Sequence, residues 1–556
     1  MSRQALCFAL ALSLGGCSSG LFRGYAEGRS ATLAEIEARG HSPTGATRFA
    51  FDDMGSLNTD AFRTHAFPWK LFVAALLAHR TPEGEPLPSR EEAVFPILRE
   101  FGLFVPDSVP NTRGSPWPDQ LASPLGILRG YAERDFPQVR IEVVNIGCAA
   151  CHAGVTYDGA GNPRMEAWLG LPNTSLNLDG LTKTVLAAFQ SALEHPGRLE
   201  SALDTLYPAM DAAERSTLTR HVLPGLESEL REREARWGGS TPYDPGGPGS
   251  ANGLGAIAHV LAAEGRDVDP VGPGTAVQIP DLGDRMLKSS LAVDGTFGVA
   301  GRARFRAMTH ADLTENERDG KAGILAFFAV PTMGLDPRRV PDVVPRAREI
   351  VDFLAAYRPP RFPGPVDVML ASRGEAVYAA QCAVCHGVRA PLARSGGPRL
   401  ERLPNVLIPI DEIGTDPARW QAATPSLATA ILGTPAGELL SAGPTTGYMA
   451  PPLTGLWATA PYLHNGSVPT LWHLMHPEAR PARFEVGGHR LDYVRMGIDL
   501  VPSSDAHRYP SGYAPWSRPE IYDTARPGQA NSGHEAPFRN LTEAEKSALT
   551  EYLKLL

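Results

Sequence analysis

The chain has 556 residues, enough for two or three domains with cores of their own. Apolar and charged fractions of 43% and 20% are those of a soluble globular protein, and a net charge of −9 with no basic stripe argues against nucleic acid as a partner. The 56 glycines and 51 prolines stop short of a disordered composition but call for much loop between short elements.

The first seventeen residues read as an export signal. Arg3 gives a positive start, Ala5 to Leu14 is a short apolar run, and Leu14-Gly15-Gly16-Cys17 follows. The run is too short to cross a bilayer. Its end is similar to the bacterial lipobox, in which Cys17 is lipidated and becomes the first residue of the mature protein. The alternative is a plain cleaved signal with an incidental cysteine. No later apolar run reaches the roughly 18 residues of a spanning helix. The expectation is an exported lipoprotein, tied to a membrane by lipid, on the periplasmic side of the outer membrane or at the cell surface.

Residues 18–140 form an N-terminal extension in which Phe67 to His79 has the pattern of an amphipathic helix belonging to the core. Cys148-Ala-Ala-Cys151-His152 opens a first unit, residues 141–360. It carries a helical insertion near 180–255, where Leu181, Val185, Phe189 and Leu193 recur at helical spacing and read as packing. Arg346 to Tyr357 reads as its closing helix, and the proline-rich stretch Arg358 to Pro365 as a linker. The second unit, residues 366–556, repeats the plan: an opening helix from Asp367 to Gln381, then Cys382-Ala-Val-Cys385-His386, then a closing helix from Thr542 to Leu556. Thr542 and Glu545 form a capping box, and Leu549, Tyr552, Leu553 and Leu556 make one apolar stripe. The predicted fold is therefore mainly α, with two tandem c-type cytochrome domains and long loops.

Of six cysteines, Cys7 and Cys17 fall in the signal and the other four form the two CxxCH pairs, leaving none for a disulfide. In CxxCH two thiols add to the vinyl groups of haem and the histidine binds the iron. One helical turn puts both cysteines of a motif on one face with the histidine beside them. A shared zinc would need the pairs about 15–20 residues apart, whereas Cys151 and Cys382 are 231 positions apart. A thioredoxin-like pair would need a βαβ setting that neither motif has. Two covalently bound haems c are the implied cofactors.

Tyr448-Met-Ala-Pro-Pro-Leu-Thr-Gly-Leu-Trp457, running into Ala460-Pro-Tyr-Leu-His-Asn-Gly-Ser-Val-Pro-Thr-Leu471, resembles the core motif of the bacterial dihaem cytochrome c peroxidase superfamily. Arg480 to Phe484 and Asn531-Ser-Gly-His-Glu535 resemble its dihaem rubber oxygenase branch, whose members cleave polyisoprene with O₂. The resemblance covers roughly residues 140–556. It implies His534 as the sixth ligand of the second haem, with Met475 and His464 as rivals. It implies Phe297 over the open side of the first haem, which His152 holds. The branch also carries a tryptophan in the segment matching Ile279 to Gly283, and this chain has none there, so the ancestry says little about isoprenoid cleavage.

For the first haem no sixth ligand stands out among Phe297, Met308 and His310. Arg302, Arg304 and Arg306 are either propionate partners or a solvated face, and Trp168 and Trp457 either relays or packing. A haem with two strong ligands carries electrons, and an open one admits O₂ or H₂O₂. The expectation is an oxidoreductase, with the second haem for electron transfer and the first for O₂ or H₂O₂, working with a redox partner protein or a small oxidant. The alternative is a pure electron carrier with both haems closed.

Overall fold

The computed structural model describes residues 28–57, 66–135, 138–237, 241–333, 336–394 and 397–556. The signal segment and Cys17 lie outside the described residues. The fold is mixed α/β, 42% helix and 15% strand, with eight small sheets among the described residues. This corrects the mainly α expectation. Most strands are two to four residues long, too short for the alternation that reveals a strand in sequence. The long exception is a hairpin of β1 (Ile127–Asp135) and β2 (Gln138–Ile146), paired from Ile127↔Ile146 to Asp135↔Gln138. Arg29–Ser30 and Phe67–Pro68 flank it to complete a four-stranded sheet.

Helices cluster in two places that matter for the site. In one, Val368–Gln381 crosses Glu543–Leu553; in the other, Gly45–Phe51 crosses Val340–Ala356 in the same way. Among the helices, those that bear on the site are, in chain order, α1 (Gly45–Phe51), α2 (Trp69–Arg80), α3 (Cys148–His152), α4 (Leu178–Glu194), α5 (Glu315–Thr332), α6 (Val340–Ala356), α7 (Val368–Gln381), α8 (Ala383–His386) and α9 (Glu543–Leu553). A Cβ on Gly374 would sit 2.0 Å from the Ala548 carbonyl oxygen, so only glycine lets α7 and α9 touch. One turn on, Tyr378 meets Tyr552 at 5.2 Å. The α1–α6 crossing repeats this: a Cβ on Gly45 would lie 2.2 Å from the Glu349 oxygen, and Phe49 meets Phe353 at 5.6 Å.

The capping box forms as the sequence prescribes: Thr542 N–H and Oγ1–H donate to Glu545, whose N–H donates to Thr542 Oγ1. Leu549, Tyr552, Leu553 and Leu556 are all buried. Helix α6 starts six residues before the expected Arg346, because Pro341 sits in the first turn, where its missing N–H costs nothing. No helix among the described residues is long and apolar enough to cross a membrane.

His489 is a buried imidazole outside these helices, 1% exposed, with neither ring nitrogen hydrogen-bonded to a protein group. Burial pushes its pKa down to about 4. The unfolded ring takes a proton near pH ~6.5 and the folded ring only near 4, so stability falls as pH drops through that window. The cost is about 3 kcal/mol at the acid end. His489→Phe should be that much less acid-sensitive between pH 7 and 4 in denaturant titrations. A loss parallel to wild type would assign the acid sensitivity elsewhere.

Candidate haem site

Both CxxCH motifs open into one apolar cavity of about 1250 Å³, lined by Cys148, Cys151, His152, Cys382, Cys385 and His386. Helix α3 follows β2 directly. It is seated against Gly126, where a Cβ would come within 2.2 Å of the Ala150 nitrogen. Helix α8 continues α7 across Cys382. Burial raises the thiols of Cys148, Cys151 and Cys382 to about 12, and Asp52 adds to the rise at Cys148. Such thiols are poor redox nucleophiles, which argues against disulfide exchange.

Each motif histidine faces a proline carbonyl. His386 Nδ1 lies 2.8 Å from the Pro451 oxygen, which fixes its tautomer and leaves Nε2 for a metal. Pro280 occupies the same place beside His152. Its carbonyl opposes the fall in that ring's pKa but falls short of a well-aligned hydrogen bond. Burial carries His152 down to about 4 and also lowers His386, so both are held in the neutral, ligating form.

The two prolines belong to a repeat at an offset of 171 residues that sequence reading missed. After Pro280, Asp284 takes a left-handed conformation, Arg285–Leu287 forms a 3₁₀ turn, and Ala292 and Gly295 have positive φ. After Pro451, Gly455, Leu456–Ala458, Leu463 and Gly466 do the same. The repeat lies in backbone conformation, while the side chains differ almost throughout. Its two copies pack together. Thr454 Oγ1–H donates to Asp284 (2.7 Å), and a Cβ on Gly455 would meet the Asp281 carboxyl at 2.7 Å.

His534 stands opposite His386, with ring centroids 6.0 Å apart. At the ~2 Å metal–nitrogen bond usual for histidine, two rings on either side of one metal have centroids ~6 Å apart. The loop that carries it is pinned. His534 is left-handed (φ 56°), its N–H donates to the Ile413 oxygen, and Gly533 packs so closely that a Cβ would lie 2.4 Å from the Thr415 nitrogen. Arg480 donates to the carbonyls of His473, Leu474, Asn531 and Gly533, clamping the loop. Burial lowers His534 to about 4, and its Nδ1 is buried without a partner. An apolar cavity, four unactivated thiols and neutral facing imidazoles fit haem.

Of the rival ligands, His464 and Met475 line the same cavity, while Met308 and His310 do not. His464 stacks on Tyr448 at 4.2 Å, and burial, helped by Arg419, lowers it to about 3. Met475 is buried on the cavity wall. His310 is largely at the surface, 3.8 Å from Asp284. Phe297 is fully buried behind Phe328, at 4.9 Å, and it is Phe328 that faces the cavity.

Arg304 donates to the carbonyls of Thr296 and Gly443, Arg306 pairs with Glu317, and Arg302 is exposed. The cations on the cavity wall are instead Arg285, Lys288, Arg419 and Arg233. Trp168 and Trp457 donate to the carbonyls of Arg358 and Pro360, clasping the linker. Helix α4 of the insertion does more than pack: Leu181, Val185 and Leu186 wall the cavity together with Phe67 and Phe72 of the extension.

Residues 447–485, which carry Pro451 and His464, match the family described as RoxA-like, cytochrome c-like. The match spans 39 of the 556 residues; it supports a link to RoxA-like cytochromes and, with that link, haem binding. The chain is also similar to two proteins of Sinorhizobium fredii, named uncharacterized protein y4iJ and uncharacterized protein y4iM. Identity is 32% over 36% of this chain and 41% of the first relative, and 31% over 38% of this chain and 50% of the second. The chain thus spans half or less of the length of these relatives.

Proposed function

We propose that this RoxA-like cytochrome is a dihaem oxidoreductase. One haem is held by Cys148, Cys151 and His152, the other by Cys382, Cys385, His386 and His534. The reading rests above all on the 6.0 Å pair of His386 and His534. Haem supplies an iron whose sixth position either closes, for electron transfer, or stays open to a small oxidant. Two imidazoles close the second site. For the first, Met308 and His310 lie off the cavity, so neither is offered opposite His152 as a sixth ligand, and the site is left to O₂ or H₂O₂. The abutting proline loops, joined through Thr454 and Asp284, support a short route for electrons between the two sites.

The first unit in this proposal begins at α1 rather than at residue 141, with residues 52–147 threaded between its opening helix and its motif. Cys17 would tether the protein by lipid to the periplasmic side of the outer membrane or to the cell surface, where its redox partner or oxidant reaches it.

A haemochrome assay of the purified protein should count two haems per chain, and Cys148→Ala/Cys151→Ala should leave one. CO added to the reduced protein should shift about half of the haem absorbance, from the open site alone. A CO-indifferent spectrum would turn the reading to a closed, dihaem electron carrier. For the tether, Cys17→Ala should abolish lipid labelling and release the protein from membranes. Wild-type protein recovered wholly as soluble material would remove that part.

A further inference from the structure

The two motifs have the same pattern and opposite exposure. Ala149 and Ala150, between Cys148 and Cys151, are buried. Val384, between Cys382 and Cys385, is 70% exposed, and Val388 just beyond His386 is 46% exposed. Val494 and Met369 are more exposed still, at 85% and 74%, so exposure alone marks nothing; what sets Val384 and Val388 apart is their place on either side of the Cys385–His386 end of the motif.

The surroundings say what kind of partner would fit there. Although the whole chain carries −9, residues 388–403 hold four arginines against one glutamate. Arg389 is spent on Thr454 and the Pro452 carbonyl, and Arg394 pairs with Glu401 at 3.0 Å. Arg399 and Arg402 are exposed and make no ion pair among the described residues. Arg402 stands directly across the strand pair from Val388, and the Arg399 carbonyl accepts from Ala390. Two carboxylates accept hydrogen bonds from uncharged donors and so keep their charge, Glu375 from Leu392 N–H and Asp312 from Thr309, and neither is paired with Arg399 or Arg402.

We propose that this face, an apolar patch rimmed by free guanidiniums, docks a small acidic electron-transfer protein against the edge of the second haem. The proposal rests on the reading that haem is bound to Cys382 and Cys385. One electron passes from the partner's reduced centre to the ferric iron held by His386, which becomes ferrous; no bond changes and no proton moves. Complementary charge steers the encounter and the valines exclude water at its centre. The buried first motif offers no such entry.

The test uses the full-length holoprotein and, as probe, an oxidised plant-type [2Fe–2S] ferredoxin, whose surface is acidic. Calorimetric titration at about 10 mM salt should give saturable one-to-one binding. Affinity should fall at least tenfold at about 150 mM, where the screening length shrinks from ~30 to ~8 Å. Arg399→Glu/Arg402→Glu should weaken binding at least tenfold, and Val384→Asp, a surface change unlinked to the arginines, should do the same with the haem spectrum unchanged. Binding that ignores salt and both variants overturns the docking face. So does tight binding of anionic phosphatidylglycerol vesicles, lost in both variants, without ferredoxin binding, since the face then meets a membrane. A wild-type protein with no haem on Cys382 and Cys385 overturns the underlying reading, and mass analysis of the tryptic peptide detects that separately.

Discussion

Replacing His534 by alanine is expected to convert the second haem from a closed, low-spin site into an open one. The argument is positional. His386 has its Nδ1 committed to the Pro451 carbonyl, so only Nε2 can face a metal, and the centroid of the His534 ring lies 6.0 Å from its own. The loop cannot easily offer a substitute. Left-handed backbone at Gly533 and His534, the bond to Ile413 and the Arg480 clamp hold residues 531–534 in one path, so alanine there leaves a gap rather than a rearranged ligand. The low-spin haem signal in electron paramagnetic resonance should disappear, cyanide should bind a second equivalent, and the CO response of the first haem should be unchanged. Met475 provides the contrast, because it too lines the cavity and a thioether ligand would raise the potential. If Met475→Ala disturbs the second haem and His534→Ala does not, the ligand is the thioether.

What could be read in the sequence was what is written within a few residues. The CxxCH pentapeptides, the Thr542–Glu545 box and the stripe from Leu549 to Leu556 each declare themselves at one-turn spacing. Two-residue strands such as Val388–Arg389 carry no period at all, and this is why the chain reads as mainly α and folds as mixed α/β. The 171-residue repeat stayed hidden because backbone conformation, not side-chain identity, is what recurs. Asp284 and Gly455 share a left-handed turn, yet nothing in their chemistry pairs them. Phe297 illustrates the limit of transfer by resemblance. It lies in the right stretch, but a strand pairing with Ala442 draws it into the core, and Phe328, about one turn before the end of α5, takes the cavity wall. The walls contributed by α4 and by Phe67 and Phe72 depend on contacts across about a hundred residues, which no local pattern encodes.

The longest of these separations yields the most demanding prediction, a matched pair of glycine substitutions. Gly374 and Gly45 each sit where two helices touch backbone to backbone, with an aromatic pair one turn further on, although about 300 residues separate Gly45 from its partner Glu349 and only 174 separate Gly374 from Ala548. A valine at either site would place its Cβ 2.0–2.2 Å from a carbonyl oxygen, a distance that helix displacement alone can relieve. Overpacking of this kind costs about 3 kcal/mol or more. If α1 and α6 belong to the first haem unit as α7 and α9 belong to the second, the damage should sort by site. Gly374→Val should broaden the low-spin signal of the His386–His534 haem and leave the CO-binding haem as it was. Gly45→Val should alter the CO difference spectrum and leave the low-spin signal intact, although the substitution lies 103 positions before Cys148. Both should lower the unfolding midpoint. A Gly45→Val protein with wild-type stability and a wild-type CO spectrum would mean that α1 is a packing helix of the extension, and that the first unit begins nearer its own CxxCH.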